Sequence, residues 1–195
     1  MTPTRALTIA ALLLPMSLAA QQPAAVPAPP PPNQITLSYK LAATQYAGWL
    51  TAAFDSIPES KYSYRPTPAQ LSIGLVAQHL ENANYQLCSR FGGVTYTKTA
   101  KDSLADSIKA MWPKDTLVAR LKASIAYCDA ELTKVNDGNL ADQLLDGRPG
   151  SGMTTSRARY VLIYVTDLVD HWSQIAIYMR LNGMTPPSAL PRPAH

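Results

Sequence analysis

The sequence predicts an all-α fold, a bundle of four helices, and three observations support this. Apolar residues recur at helical spacing in four long segments, and no segment shows the sustained alternation that is typical of strands. Eight of the 17 prolines lie in residues 1–32 and four in 186–195, which leaves five for the 153 residues between them. Because proline interrupts helices, the middle of the chain can hold long helices and its ends cannot. Helices without a sheet bury their apolar faces against one another.

The first half of this region predicts two long helices joined by an extended segment. The first helix covers residues 35–54. Residues 58–70 carry three prolines, so they form an extended connection. Ser72 is the predicted N-cap of the second helix, which continues as far as the glycine pair 92–93.

The second half predicts a short helix and two more long ones. Residues 92–99 form a link that is longer than a tight turn, so the second and third long helices can run parallel. A short helix over 102–111 follows, and Asp115 is the predicted N-cap of the third long helix. Residues 139–152 read as a loop rich in Gly and Asp. The last helix runs from Thr154 or Thr155 to about residue 181, where Asn182-Gly183 ends it.

The amino terminus predicts export. Residues 1–20 resemble a secretory signal peptide, with Arg5 before an apolar run over 6–18 and a small-x-small cleavage site at 17–19. The apolar run is too short to span a bilayer, which takes about 20 residues. We therefore expect a periplasmic or secreted protein without a stable membrane span after cleavage. An uncleaved membrane anchor is the alternative.

Two further tails flank the predicted domain. Residues 21–34 are rich in proline and predict an extended, disordered spacer. Residues 188–195 form a second Pro-rich tail, so the domain itself covers 35–187.

Charge and cysteine content exclude several functional classes. The net charge is +4 and no cluster of Lys and Arg accompanies it, so we expect no nucleic-acid partner. Two cysteines are too few for a disulfide-rich miniprotein or a four-cysteine zinc site. Export favours a disulfide between Cys88 and Cys128, since oxidising compartments favour pairing. Two buried free thiols are the alternative.

The scarce histidines indicate a candidate metal site. Asp167 and His171 are four residues apart in the last helix, so they share one face, and Gln174 and Tyr178 continue that stripe. His79 lies among apolar residues in the second helix. If the helices pack, two imidazoles and one carboxylate meet, a set that suits a divalent transition metal with an open coordination position.

Polar neighbours and alternatives complete this hypothesis. Gln78, Asn82 and Gln174 are the predicted hydrogen-bond partners that orient the ligands. Asp170 is a competing carboxylate, but it lies about 100° around the helix from His171. An Asp–His pair at this spacing is also a common structural hydrogen bond, so a metal-free site remains open.

Several motifs carry a family resemblance. They are residues 64–66 (YRP) through 72–80 (SIGLVAQHL), the block 167–174 (DLVDHWSQ) and the closing pattern H-x-x-Q … Y-x-R-x-x-G-x-x-P-P, which ends at Pro187. With these motifs the chain resembles the DinB/YfiT-like superfamily over most of its mature length.

The resemblance implies a four-helix bundle in up-down-down-up order and a metal bound by three histidines. One of these lies on the second helix, and His79 matches it. Two lie in H-x-x-x-H on the last helix, where His171 matches the second and Asp167 stands in place of the first. A carboxylate also binds metals, so zinc, nickel, manganese and iron all stay open as the cofactor. Characterised relatives include thiol-dependent S-transferases and a thiol-dependent isomerase.

The functional expectation follows from combining the resemblance with export. Thiol cofactors belong to the reducing cytoplasm, which disfavours them for an exported chain. We expect a metal-dependent hydrolase or transferase that activates water or a small-molecule substrate, and two copies of the chain that pair as a homodimer. One alternative is a non-catalytic binding or stress-related bundle without metal. The least favoured is a cell-envelope interaction module presented on the spacer.

Overall fold

Five α-helices and one short hairpin make up the part of the chain that the structure describes. This structure is a computed structural model, and it describes residues 31–146 and 150–191. The predicted signal peptide, most of the spacer and the end of the tail lie outside these residues. The elements are α1 (Gln34–Ser56), α2 (Ile73–Gly92), α3 (Asp106–Lys109), α4 (Lys114–Leu132), β1 (Gln143–Leu145), β2 (Thr154–Ser156) and α5 (Arg157–Leu181).

Helices α2 and α4 run parallel, as the long link between them allows. Residues later in α2 contact residues later in α4. The pairs are Glu81 with Arg120, Asn84 with Ser124 and Cys88 with Cys128.

Helix α1 runs antiparallel to α4, and α2 runs antiparallel to α5. Residues early in α1 contact the segment that follows α4, since Thr36 Oγ1 donates to Asp137 Oδ1 over 2.6 Å. The end of α2 packs against the first half of α5, with the rings of Phe91 and Tyr164 5.8 Å apart. The order is therefore up-down-down-up, and the predicted all-α bundle is confirmed.

Apolar side chains from all four long helices fill the interior. Each fully buried leucine contributes about 1.5–3 kcal/mol relative to an exposed one. No helix among the described residues is long and apolar enough to cross a bilayer. Fully buried examples are Leu50, Phe54, Leu80, Leu121, Leu168 and Ile175.

A disulfide joins the two parallel helices. Cys88 on α2 and Cys128 on α4 are bonded, and their Cα atoms are 5.1 Å apart, inside the range for disulfides. The predicted pairing therefore agrees with the structure, and it ties together α2 and α4 next to the core.

The predicted N-cap of the third long helix is wrong. Helix α4 begins at Lys114, directly after Pro113, and Asp115 lies inside its first turn. The Lys114 N–H instead donates to Glu59 Oε1 over 3.3 Å. Local sequence could not show this, because the accepting carboxylate of Glu59 lies 55 residues earlier in the chain.

The predicted short helix over 102–111 is also too long. Only Asp106–Lys109 is α-helical. Asp102 Oδ2 accepts from the Thr99 N–H over 2.6 Å and from the Tyr96 hydroxyl over 3.1 Å. These bonds hold Asp102 in a turn before the helix.

A hairpin replaces part of the predicted loop over 139–152 and the predicted helix start. The strands Gln143–Leu145 and Thr154–Ser156 pair antiparallel, so Thr154 and Thr155 belong to β2. Ser156 is the N-cap of α5, and its hydroxyl accepts from the Arg159 N–H. Strands of three residues are too short to display an alternating pattern.

The first helix begins one residue inside the predicted spacer. Helix α1 starts at Gln34, and the Ile35 and Thr36 N–H groups donate to the Asp137 carboxylate over 3.2 and 2.7 Å. The Asp137 N–H in turn donates to Asn33 Oδ1 over 3.1 Å. The contacts of the domain therefore begin at Asn33.

Candidate metal centre

Helices α2 and α5 bring His79, Asp167 and His171 together. His79 Nε2 lies 3.5 Å from Asp167 Oδ1, and His171 Nε2 lies 3.6 Å from the same oxygen. The two imidazole centroids are 4.7 Å apart. One donor atom from each residue lies within 4.8 Å of the others, a spacing that can close around one ion, whose bonds are about 2 Å long.

Exposure falls from one side of this cluster to the other. The side chain of His79 is 44% exposed, that of Asp167 21% and that of His171 8%. The cluster thus has a buried base formed by α5 and an open side at His79. A small molecule can approach it from solvent on the His79 side.

One oxygen of the cluster has no hydrogen-bond partner among the described residues. Asp167 Oδ2 is buried and accepts no hydrogen bond from any described residue, while Oδ1 faces both imidazoles. Buried polar atoms are nearly always satisfied, so an orphan acceptor calls for an explanation. A divalent cation satisfies it, and two imidazoles with one carboxylate suit zinc, iron, nickel or manganese. The residues present therefore fit the implied metal.

A directed chain of hydrogen bonds sets the tautomer of His171. The Leu71 carbonyl only accepts, so the Tyr178 hydroxyl donates to it over 3.1 Å. The Tyr178 oxygen then accepts from Gln174 Nε2 over 2.9 Å, and Gln174 Oε1 accepts from His171 Nδ1 over 3.0 Å. With the proton held on Nδ1, neutral His171 presents the Nε2 lone pair to the cluster.

The charges of the cluster reinforce one another. Burial raises the pKa of the Asp167 carboxyl, but its polar contacts with His171 and His79 outweigh burial and lower that pKa to about 2. Burial lowers the pKa of His171, whereas its contacts with Asp167 and Gln174 outweigh burial and raise it. Asp167 is therefore ionised near neutral pH and available as an anionic ligand or ion-pair partner.

Two of the three predicted orienting partners lie elsewhere. Asn82 Nδ2 donates to Asp106 Oδ1 over 2.8 Å, and the fully buried Gln78 amide lies in the same network beside Lys109. These two side chains therefore hold the segment 93–113 between α2 and α4, called the crossover below, against α2, so that part of the prediction is wrong. Gln174 contacts His171 as the spacing predicted.

The competing carboxylate lies outside the cluster. Asp170 is exposed on α5, and it does not belong to the set of close donors found among the described residues. This position agrees with its predicted offset of about 100° from His171.

Sequence reasoning missed a second polar cluster near the site, on α2, α4 and the link between them. Arg120 Nε donates to Glu81 Oε2 over 3.0 Å, and the same guanidinium donates to Asp102. Its carbon lies 5.0 Å from the centre of the Trp112 ring. No spacing rule connects these residues, because Arg120 is 39 and 18 residues away from its two acidic partners.

Solved structures share this fold. A DinB-like protein from Bacillus cereus superposes with a TM-score of 0.57 at 16% identity, over 77% of this chain and 95% of the other. A conserved protein from Enterococcus faecalis gives 0.58 at 14%, over 75% and 96%. Mycothiol-dependent maleylpyruvate isomerase gives 0.55 at 9%, over 72% of this chain and 59% of the isomerase. At such identities the likeness shows the fold alone.

Sequence comparison identifies the family. No curated protein matches the chain significantly. The family model of the DinB superfamily matches residues 47–175, which include the whole of α2 and α4 and all three candidate ligands. Because this match covers more than half of the sequence, the chain belongs to the DinB superfamily.

Proposed function

We propose that this protein is an exported, divalent-metal-dependent enzyme, a hydrolase or transferase, in which His79, Asp167 and His171 hold the ion. One observation carries the proposal: three metal-binding groups converge within 4.8 Å, and the buried Asp167 Oδ2 lacks a hydrogen-bond partner among the described residues. Three protein ligands leave coordination positions free, which is typical of catalytic rather than structural sites.

The chain's own residues prepare the site for a ligand on the ion. A bound divalent ion supplies Lewis acidity, which polarises a substrate oxygen or makes water a better nucleophile. Asp167 supplies negative charge, and the chain from Leu71 through Tyr178 and Gln174 holds His171 in one tautomer. The half-exposed His79 leaves one side of the cluster open to solvent.

The choice of water over a thiol as the nucleophile rests on the compartment. One structural neighbour is by name mycothiol-dependent, so it uses a thiol cofactor. The N-terminal leader and the bond between Cys88 and Cys128 support an oxidising compartment, where thiols are disfavoured. Hydrolysis is therefore the favoured reaction class, and group transfer is the second.

Metal content tests the site directly. We expect about one divalent ion per chain in protein isolated from its exported location, because the donors are already within reach of one another. His79→Ala, His171→Ala and Asp167→Asn should each lose it by elemental analysis. Asp170→Asn is the matched control, since this exposed carboxylate on the same helix lies outside the cluster and should leave the content unchanged.

A metal-free result would contradict the proposal. If elemental analysis finds no metal, and zinc, nickel, manganese and iron all leave the thermal midpoint unchanged, then Asp167 and His171 form a structural ion pair. Binding at one hundred times the dissociation constant should otherwise add about 2.7 kcal/mol to stability. Metal-dependent cleavage of a panel of ester and amide substrates, abolished by a chelator, would support hydrolysis. Turnover that requires an added thiol would support transfer instead.

The Tyr178 hydroxyl is expected to tune metal affinity without touching the ion. Tyr178→Phe removes both the donor to Leu71 and the acceptor of Gln174, which frees His171 to rotate or change tautomer. Loss of such an outer hydrogen bond weakens metal binding by about 10–100-fold. Competition titration with a chelating dye measures the dissociation constant.

Tyr62→Phe is the matched control for Tyr178→Phe. Its buried hydroxyl also donates to a backbone carbonyl, that of Phe54 over 2.7 Å, but it has no contact with the cluster. Both variants should lose comparable stability, whereas only Tyr178→Phe should lose metal affinity. Equal metal affinity in the two variants would show that the hydrogen-bond chain does not act on His171.

A further inference from the structure

A cavity of about 500 Å³ lies between the hairpin and the first two turns of α5. It combines polar side chains with apolar ones, which is usual for sites that bind small molecules. Its lining residues are Asp146, Met153, Thr154, Thr155, Arg159, Tyr160 and Ile163.

One stripe of residues along α5 joins this cavity to the metal-ligand cluster. Arg159, Ile163, Asp167 and His171 follow one another at intervals of four residues. Successive residues at this spacing are neighbours about 6 Å apart along the axis, and the stripe turns about 40° around the helix at each step. Arg159 is therefore about 12 Å along the axis from Asp167, and Ile163 lies between the two.

Counted among the residues that the structure describes, the cavity offers one uncommitted charge. No hydrogen bond or ion pair engages the Arg159 side chain among the described residues. Asp146 is already engaged, since it accepts from the Ser151 hydroxyl over 2.6 Å, and the Tyr160 hydroxyl donates to the Leu145 carbonyl over 3.1 Å. The group left to meet a ligand is a guanidinium, which recognises carboxylates.

Apolar surface accompanies this charge. Met153 is more than half exposed, and Ile163, which follows Arg159 by one helical turn, is only partly buried. A ligand that fills the cavity would place hydrocarbon against these two side chains. The combination suits an amphiphilic carboxylate better than a sugar or a compact polyanion.

We propose that this cavity binds the carboxylate end of the substrate, an amphiphile whose hydrocarbon part lies along Ile163 and whose reacting group reaches His79, Asp167 and His171. The assignment of a reacting group rests on the proposed metal-dependent function. The binding of an anionic amphiphile between the hairpin and α5 does not depend on it.

Octanoate binding tests the cavity, and 1-octanol serves as its neutral counterpart. In metal-free mature protein, Arg159→Gln should weaken octanoate binding about tenfold or more, because the charged hydrogen bond is lost. Binding of 1-octanol should not change. Arg180→Gln is the matched control, since it removes an exposed cation near the other end of the same helix. Equal octanoate affinity in Arg159→Gln and the unchanged protein would overturn the proposal.

A paramagnetic ion tests the connection to the metal site. With Mn²⁺ added, the terminal methyl signal of bound octanoate should broaden more than the methylene next to its carboxylate, since the methyl end points towards Asp167. Equal or reversed broadening would overturn this orientation. If zinc, nickel, manganese and iron all fail to bind but Arg159→Gln still weakens octanoate, the proposed metal-dependent function fails and the carboxylate cavity stands.

Discussion

Replacing Arg120 with methionine is expected to lower the free energy of unfolding by about 3–5 kcal/mol. The guanidinium binds two buried carboxylates, those of Glu81 on α2 and Asp102 in the crossover. Without it, both negative charges stay buried and uncompensated, which costs far more than the loss of a surface pair. Urea unfolding followed by circular dichroism measures the change.

An exposed ion pair on the same helix is the control for Arg120→Met. Lys122 pairs with Asp55 over 2.9 Å, and both side chains are about half exposed. Lys122→Met should change stability by less than about 1 kcal/mol. If the two variants were equally stable, the buried cluster around Arg120 would not hold the crossover in place.

The same cluster makes stability depend on pH. Burial raises the pKa of Asp102, but its hydrogen bonds from Thr99, Arg120 and Tyr96 outweigh burial and hold that pKa well below its usual range. A carboxyl with a lowered pKa in the folded state contributes stability above its unfolded pKa of about 3.9, and this contribution fades as the pH falls below that value. The loss of stability between pH 5 and pH 3 should therefore be shallower in Asp102→Asn.

Removing the disulfide is expected to lower the free energy of unfolding by about 4 kcal/mol on a chain-entropy estimate. Cys88 and Cys128 are 40 residues apart, so their bond closes a long loop of the unfolded chain that contains the whole crossover. The double variant Cys88→Ala, Cys128→Ala should unfold at lower urea concentration than the oxidised protein.

Reductant provides the control for this effect. Dithiothreitol should destabilise the unchanged protein towards the level of the double variant, and it should leave the double variant unaffected. If reductant changed the stability of the unchanged protein and of the double variant equally, or changed neither, the disulfide would not contribute to stability. A large effect would also mean that the fold is secure only in an oxidising compartment, which is where the leader predicts that it works.

The long helices could be predicted because their signals are local. Ser72 caps α2 as expected, and its hydroxyl accepts from the Leu75 N–H over 3.2 Å. Helix α5 ends at Leu181, where Asn182-Gly183 predicted its end. The helical repeat was enough to predict that Asp167 and His171 share a face. Their closeness to His79 followed once α2 was expected to pack on α5.

The remaining features depend on partners that are distant in the chain. Asp137 binds the start of α1 across about one hundred residues, and Glu59 binds the start of α4 across 55. Gln78 is adjacent to His79 and Asn82 follows His79 by three residues, yet both side chains point into the crossover network. A helix carries side chains around its whole circumference, so adjacency in sequence did not decide which neighbour they contact.

The sequence alone predicted the approximate positions of the long helices, a disulfide between the two cysteines and the three residues that could meet as metal ligands. These properties follow from helical periodicity, from an even count of scarce residues and from the family motifs. Only the tertiary structure decided that Tyr178 donates to Leu71, that Arg120 holds the crossover and that Arg159 faces a cavity beside the hairpin. The physical reason is that these contacts join residues or backbone groups from separate elements, and their geometry exists only once the helices have packed.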